Sequence, residues 1–578
     1  MLVQIHRNWF VPVPVAFAHK IQVEACFVLR KLTHPRFEVR HDKARTRGGG
    51  GGGRRIRSNW RCALGDALPE WEEQEGGKAV STFLQELGVS EEDSVSIASK
   101  ARGYVKMLVE SVRDLEQWDE QITSLSFKDK IVHIAAQKGD KGKVAYLETL
   151  GFTLSSSMNV ARYLSADTLP SLIHKVTRMK QLFFSDAHSH ADDFHLFIKH
   201  VRLMMCHLSI SVDEDLQRTL SFFEKIEARR GGLNILASKE AAFNYLIESF
   251  PALLQLSVND HLAPIVDFLQ NIGIPRFRIP NIILAFPPIM LWNLQLLETR
   301  ILALKEINVV DKDYAKLLLK YPWVLSTSIQ RNFTEVLAFL YSVKVPKMWI
   351  DRAIKSQPHL LGCSTSKLKL MVDEFVELGV QRKKLNKVIA KSPQLLLQKP
   401  KDFQQIVLFF ENMDFDQETI GRILVRCPEI FAASINKTLQ RKIEFLDGVG
   451  VSETFLPGVI RKYPELLVSD TDRTLPQRIM YLMKLGLSEK DIAFMVRTFS
   501  PLLGYSIEGV LRPKIDFLVN SMERPVRDVV GYPRYFSFSL EKKIKPRYWV
   551  LKGRNIKCSL KDMLGKNDEE FAAEFMGV

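Results

Sequence analysis

Between residues 313 and 346 the apolar positions follow a helical beat that is broken once by proline. Leu317, Leu318 and Tyr321 fall on one helix face, and Pro322, which lacks an N–H and restricts the residue before it, must end that helix. The apolar triplet Trp323-Val324-Leu325 follows as a tight turn. A second helix carries Phe333, Val336, Leu337, Phe339 and Leu340, and the chain turns again near Val345-Pro346. The pattern predicts a unit made of helix A, a proline turn, helix B and a short loop.

The unit recurs. Pro251, Pro287, Pro322, Pro358, Pro393, Pro428, Pro464, Pro501 and Pro533 are spaced by 36, 35, 36, 35, 35, 36, 37 and 32 residues, and each precedes a mostly apolar pair such as Leu253-Leu254 or Leu466-Leu467. A period of this size is the mark of stacked helix pairs. The fold class expected is therefore all-α, a right- or left-handed superhelical solenoid of about nine or more helix–proline-turn–helix repeats of about 35 residues. Such arrays present long curved surfaces, which suit an extended ligand better than a catalytic pocket.

Punctuation within the unit agrees with this reading. Six places after each proline stand Ser257, Asn293, Ser328, Ser364, Lys399, Ser434, Asp470, Ile507 and Ser539, most of them able to cap a helix start, with Ser506 one place early in the eighth unit. A second proline near the start of helix B (Pro264, Pro476, Pro513, Pro546) is expected in the first helical turn. Helix stops are expected at Gly379, Gly450 and Gly486.

The remaining chain divides by composition. Residues 1–61 hold 13 Lys/Arg against 3 Asp/Glu and the run Gly48 to Gly53, and are expected to be an organelle transit peptide or disordered basic head. Residues 62–230 open acidic, with Glu70, Glu72, Glu73 and Glu75, and continue as helices or degenerate repeats; Leu169-Pro170-Ser171-Leu172 echoes the later units. The repeat array is placed at 231–560, and 561–578 is read as a C-terminal tail. Six cysteines without CxxC spacing suggest reduced thiols. No apolar run approaches the ~18 residues of a membrane span, so no membrane partner is expected.

The run Lys462-Tyr-Pro-Glu-Leu-Leu467, continuing to Leu475-Pro-Gln-Arg-Ile and Leu485-Gly-Leu, resembles the repeat of the mitochondrial transcription termination factor (mTERF) family. So does the ending Gly531-Tyr-Pro-Arg-Tyr-Phe-Ser-Phe-Ser-Leu-Glu-Lys-Lys-Ile-Lys-Pro-Arg-Tyr548. The resemblance covers about 250–560 and is similar to the large plant organellar branch. It implies a curved helical superhelix that binds nucleic acid and acts in organelle gene expression, as a transcription regulator on double-stranded DNA. Structured RNA in intron splicing or ribosomal RNA maturation is the alternative, with organellar transcription or splicing machinery as further partners. A protein-binding scaffold is the third reading. The Arg61-Cys62-Ala63 site favours the chloroplast, with the mitochondrion as alternative.

The net charge of +15 directs attention to two sets of cations. Lys320, Lys391, Arg426 and Lys462 lie two residues before a proline, at the end of helix A, where the macrodipole favours them by roughly 0.3–1 kcal/mol. Stabilisation suffices to explain these. Arg441, Lys442, Arg478, Arg512, Lys514, Lys543, Lys545 and Arg547 instead lie near the start of helix B, where the dipole disfavours cations. They are the candidate nucleic-acid contacts, forming a track suited to a phosphate backbone. Among the neighbouring aromatics, Tyr535 and Phe536 occupy core positions, while Tyr532, Phe538, Tyr548 and Trp549 invite a weaker stacking hypothesis.

Nothing in the sequence asks for catalysis. GxxxxGK[ST], GxSxG and HExxH are absent. His188, His190, His195 and His200, with Asp192 and Asp193, are read as a flexible polar stretch. No catalytic residue, metal, cofactor or small-molecule substrate is expected.

Overall fold

The structure, a computed structural model, describes residues 69–115, 125–164, 167–184, 191–306 and 314–577. Every regular element among them is a helix. The transit-peptide reading of residues 1–61 lies outside the described residues.

Nine short 3₁₀ turns punctuate the array, at Pro251–Gln255, Pro287–Met290, Pro322–Leu325, Pro358–Gly362, Pro393–Leu397, Pro428–Ala432, Pro464–Leu467, Ser500–Gly504 and Pro533–Ser537. The residue before each turn leaves helix A in one conformation: Phe250 at φ −130°, ψ 61°, Tyr321 at −149°, 65° and Tyr463 at −147°, 74°. Proline enforces this by barring its predecessor from the α region. In the eighth repeat Phe499 adopts the same angles (−137°, 76°) before Ser500, with Pro501 one place into the turn. The same geometry thus forms there without proline at the first position of the turn.

Helix A packs on helix A and turn on turn along the array, as Lys347–Ser356, Arg382–Lys391 and Gln417–Arg426 do in succession. The apolar pair of each turn is the centre of the core: Leu253, Leu254, Leu360, Leu361, Leu502, Leu503, Tyr535 and Phe536 are all sealed from solvent. Trp323 is likewise sealed, and its indole N–H donates to the Ala285 carbonyl of the preceding repeat at 2.8 Å.

Side-chain caps open helix B at Ser257, Asn293, Ser364, Ser434, Ser506 and Ser539, while Asp470 accepts from the Asp472 and Arg473 N–H groups in the turn before its helix. Two expectations need correction. In the third repeat helix B starts directly at the end of the turn, so the cap is Ser326, not Ser328, whose N–H donates to Asp213. Pro264, Pro513 and Pro546 lie beyond the first turn, after the π turns Val258–Leu262, Ile507–Leu511 and Leu540–Ile544. The wider turn makes room for a ring that would otherwise crowd the carbonyl four residues back. The sixth repeat opens with the same π turn, Ile435–Leu439, before Gln440, so proline is not its only cause.

Two ladders join successive repeats. At the end of helix A, Lys320 donates to the Lys355 carbonyl (3.1 Å), Lys391 to Arg426 (2.8 Å), Arg426 to Lys462 (3.1 Å) and Lys462 to Arg497 (3.3 Å). Each cation thus satisfies a last-turn carbonyl of the next helix A, which adds a direct bond to the dipole effect. The second ladder is steric. The tyrosine before one turn lies over a glycine in the next: a Cβ on Gly362 would meet Tyr321 Oη at 2.5 Å, and one on Gly504 would meet Tyr463 Oη at 2.2 Å. Gly504→Ala is expected to cost about 1–3 kcal/mol through this overlap. Adding Tyr463→Phe should restore part of the loss; additive costs in chemical denaturation of the single and double variants would refute the contact.

Preceding the array, Glu70–Glu86, Glu91–Lys100, Arg102–Leu115 and Phe127–Lys138 form a helical cluster. Leu154–Ala161, Arg162–Leu164 and Leu169–Phe184 then repeat the helix–turn–helix unit without a proline in the turn, which stacks on Pro251–Gln255. Pro170, expected to echo a proline turn, instead lies at the start of a helix. At the other end, residues read as a tail form Leu560–Gly565 and Asp568–Phe575, with Phe571 and Phe575 buried.

Ala191–His207 does not continue the stack but lies across it, from Ile279–Ala285 to the Pro358–Gly362 turn. The flexible stretch expected here is, from 191 onward, a helix; His188 and His190 lie outside the described residues. Arg278 pairs with Asp193 at 2.7 Å, Ser209 N donates to the Gly362 carbonyl at 2.9 Å, and Lys367 Nζ donates to the His207 carbonyl at 3.2 Å. His200 and His359 stack with ring centroids 5.7 Å apart, and His207 lies 6.3 Å from His359. Burial, then Lys320 and Lys199, hold His200 down at about 4. Burial, then Lys367 and Lys399, do the same for His207, at about 4. Burial, then the other two imidazoles, takes His359 to about 3.

Unfolded imidazoles titrate near ~6.5, so below that pH the unfolded chain binds more protons than the folded one. The stability supplied by neutral histidines is complete above that value and is lost as pH falls towards about 4. Melting temperature should drop through this window, and less so in His359→Leu; a Tm independent of pH from 6.5 to 4 would contradict the packing described.

Candidate nucleic-acid interface

Eight residues past Ser434, Asp470, Ser506 and Ser539 stand Lys442, Arg478, Lys514 and Arg547. This position faces the element that follows helix B in the stack, and all four side chains cross to it. Lys442 donates to the Ser469 carbonyl, Arg478 to Leu503, and Lys514 to Phe536 at 2.7 Å. Arg547 has no tenth proline turn to meet and caps the final helices instead, donating to Met563 and Lys566 carbonyls, both at 2.9 Å, and pairing with Asp568. Lys442, Lys514 and Arg547 are buried, at 9%, 8% and 5% exposure, and Arg478 is half-buried. Burial pushes the ammonium pKa of Lys442 and Lys514 down. Lys543, also depressed chiefly by burial, donates to the Lys566 carbonyl at 3.3 Å.

These five of the eight candidates thus have a structural use. Contrary to expectation, packing does give a reason for cations near the start of helix B: carbonyls at or just past the end of a 3₁₀ turn lack helical partners, and a cation from the preceding repeat supplies one. The same task falls to other donors earlier in the array. Lys175 reaches Leu254, Arg300 reaches Leu325, Asn332 reaches Leu361 and Gln398 reaches Phe431, each acceptor lying three residues into its turn. The recurrence at cap-plus-eight was a signal available in the sequence; the acceptors were not, because they sit about 25 residues away in another repeat.

Arg441, Arg512 and Lys545 are arranged differently. Arg441 and Arg512 are exposed and Lys545 is partly so. Their partners are surface carboxylates: Asp472 at 3.4 Å, Glu508 at 2.8 Å, and Glu541. Arg512 and Lys545 occupy the same place, six residues past their caps, each paired with the acid four residues earlier. Exposed pairs of this kind contribute about 0–1 kcal/mol and exchange readily for another anion.

The aromatic positions divide as their spacing suggests. Tyr535 and Phe536 are sealed in the core, with Tyr535 Oη donating to the Lys514 carbonyl at 2.8 Å. Tyr532 and Phe538 stack on each other, while Trp549 is 53% exposed with Lys552 Nζ 5.3 Å from its ring centre. Among the described residues no group of three or more His, Cys, Asp or Glu is placed to hold a metal ion, and no helix is long and apolar enough to cross a membrane. The four described cysteines are free thiols.

Stacked helix pairs with a proline turn, inter-repeat cation caps and surface cations at the helix-B starts define a helical-repeat protein of the solenoid class. The chain belongs to the mTERF family, whose model matches residues 266–572. It is 40% identical over 67 residues to the transcription termination factor MTERF2, chloroplastic, of Arabidopsis thaliana, covering 12% of this chain and 10% of that protein. It is 40% identical over 62 residues to MTERF6, chloroplastic/mitochondrial, of the same plant, covering 11% and 19%. A longer match, 21% identical over 236 residues, links it to chloroplastic MTERF8 of Arabidopsis and covers 40% of this chain and 44% of the relative. The chain thus spans less than half the length of each of these relatives.

Proposed function

We propose that this protein is a non-enzymatic regulator of transcription in the chloroplast, acting in termination or transcript accumulation by binding double-stranded DNA. The observation that carries this reading is the placement of Arg441, Arg512 and Lys545 at the solvent face of the helix-B starts in separate repeats, each paired with a surface carboxylate and not with a carbonyl of the next repeat. The family's relatives support the process, being named transcription termination factors, several of them chloroplastic. Cations repeated along an array would neutralise successive phosphates of one duplex, which gives affinity that depends on salt and carries little base reading of its own. A protein bound in this way would block or position a polymerase.

Competition between matched duplex DNA, duplex RNA and single strands tests the ligand. Duplex DNA is expected to displace a labelled duplex most effectively. Preference for structured RNA would overturn the DNA reading in favour of a role in splicing or ribosomal RNA maturation, and indifference to every polynucleotide would leave a protein scaffold. Tagging residues 1–80 with a fluorescent protein tests the compartment, with mitochondrial signal as the opposing result.

A further inference from the structure

Six residues before the proline, in four successive repeats, stand Lys316, Arg352, Lys387 and Arg422. All four are exposed, and they lie one helical turn before the Lys320, Lys391 and Arg426 that form the helix-A ladder. The ladder cations are committed to carbonyls of the next repeat. The earlier row has no such role in repeats 4 to 6: Arg352 lies over its own neighbour Trp349 at 5.3 Å, Arg422 meets Glu418 at 3.4 Å on the surface, and Lys387 has no ion-pair partner among the described residues.

The fifth repeat widens the row into a patch. Its helix A, Arg382–Lys391, contains Arg382, Lys383, Lys384, Lys387 and Lys391 and no acid. The first three occupy the first turn, where the macrodipole disfavours cations by about 0.3–1 kcal/mol apiece, and all three are exposed without an ion-pair partner among the described residues. Helix A of the sixth and eighth repeats begins in the opposite way, with Asp416-Gln-Glu418 and Ser488-Glu489-Lys-Asp491. Lys347 stands at the start of the preceding helix, in the place Arg382 occupies in its own, with Asp351 as the one acid of that helix. The acidic start of repeat 6, with Asp414 and Asp416, bounds the patch towards the C-terminus.

Neighbouring packed helices lie about 8–10 Å apart, so equivalent cations in repeats 3 to 6 describe a line of roughly 25–30 Å across the helix-A layer. A compact acidic ligand needs one cluster; a line of evenly repeated, exposed cations matches an evenly charged polymer. We infer that this row and the Arg382–Lys384 cluster form a second phosphate-binding track for a polynucleotide backbone, on a different layer from the helix-B starts. The inference rests on the reading that the array binds nucleic acid and adds a surface to it. Either the same duplex or a single-stranded transcript could supply the phosphates.

The test uses the full chain in which Arg352, Arg382, Lys383, Lys384 and Lys387 are each changed to Gln, beside wild type and beside Arg441→Gln/Arg512→Gln/Lys545→Gln. Matching melting temperatures would establish that the helix-A variant is folded, and a second variant limited to Lys383→Gln/Lys384→Gln/Lys387→Gln serves if it is not. Affinity for a labelled 40-base-pair (~40) DNA duplex and a single-stranded RNA of equal length is read across a salt series. The helix-A variant should lose about tenfold or more in affinity for one of the two, with its salt slope reduced by about 0.9 per lost duplex contact or about 0.7 per lost single-strand contact. The polymer that responds identifies the source of the phosphates. Unchanged affinity and slope for both polymers, while wild type binds, would overturn the helix-A track and leave the helix-B reading intact. Failure of wild type to bind either polymer would overturn both. Binding to polyglutamate as tight as to the polynucleotides, and equally impaired in the variant, would overturn the track in favour of an acidic protein.

Discussion

Arg547→Ala is expected to destabilise the end of the array by about 3 kcal/mol and to release the two final helices from it. Arg547 is buried, and its guanidinium joins helix B of the ninth repeat to the Met563 and Lys566 carbonyls, to Asp568 and to the face of Phe571 at 4.5 Å. Hydrogen bonds from a charged donor are worth about 1.5–3 kcal/mol each, and truncation also removes the packed stem. Only part of the sum is lost, because the stranded carbonyls can reach water once the terminal helices loosen. Arg547→Lys keeps one charge but not the planar fork, so it should fall between. Hydrogen exchange over 560–575 reads the release directly: faster exchange there, with repeats 3 to 6 unchanged, is the expected pattern. Protection equal to wild type would mean that the apolar contacts of Phe571 and Phe575 hold the cap alone.

The second large effect is on ligand binding. Arg441→Gln/Arg512→Gln/Lys545→Gln should leave stability within about 1 kcal/mol, since each residue gives up a surface ion pair and, at Arg512 and Lys545, a peripheral ring contact at 6.0 and 5.9 Å. Affinity for duplex DNA should fall about tenfold or more at low salt, and the slope of log K against log salt should flatten by about 0.9 for each phosphate contact removed. Loss of affinity at unchanged slope would place the effect on something other than backbone neutralisation.

Much of the architecture could be read from the residues because its determinants are local. Pro322 ends a helix wherever it occurs, Leu466-Leu467 must be buried, and Ser434 can cap a helix without help from distant chain. The sites where that reading failed each depend on a neighbour in space. Ser326 replaces Ser328 as a cap because the third helix B begins directly at the end of its turn, which composition does not reveal. Ala191–His207 has the histidines and acids of a solvated segment, yet Asp193 meets Arg278 and His200 meets His359, partners 85 and 159 residues away.

The candidate site was legible to a lesser degree for the same reason. Lys442 and Arg441 are adjacent in sequence and were grouped by one electrostatic argument. A single helical residue step of about 100° sends one to a carbonyl of the next repeat and leaves the other in solvent. Charge and spacing single out the helix-B starts; direction around the helix, which decides whether a cation turns to the next repeat or to solvent, follows from packing. The helix-A row was overlooked because the cations one turn later, Lys320, Lys391 and Arg426, already had a sufficient explanation in the macrodipole.

The account therefore rests on a division of labour between inward and outward cations of helix B, and one paired measurement addresses it. Melting temperature and the salt slope of duplex binding are recorded together for Lys442→Met/Lys514→Met and for Arg441→Gln/Arg512→Gln/Lys545→Gln. The inward pair should lower the melting temperature while the slope stays that of wild type, and the outward set should flatten the slope at an unchanged melting temperature. The opposite assignment, with the slope falling for Lys442 and Lys514 and stability falling for Arg441, Arg512 and Lys545, would contradict it.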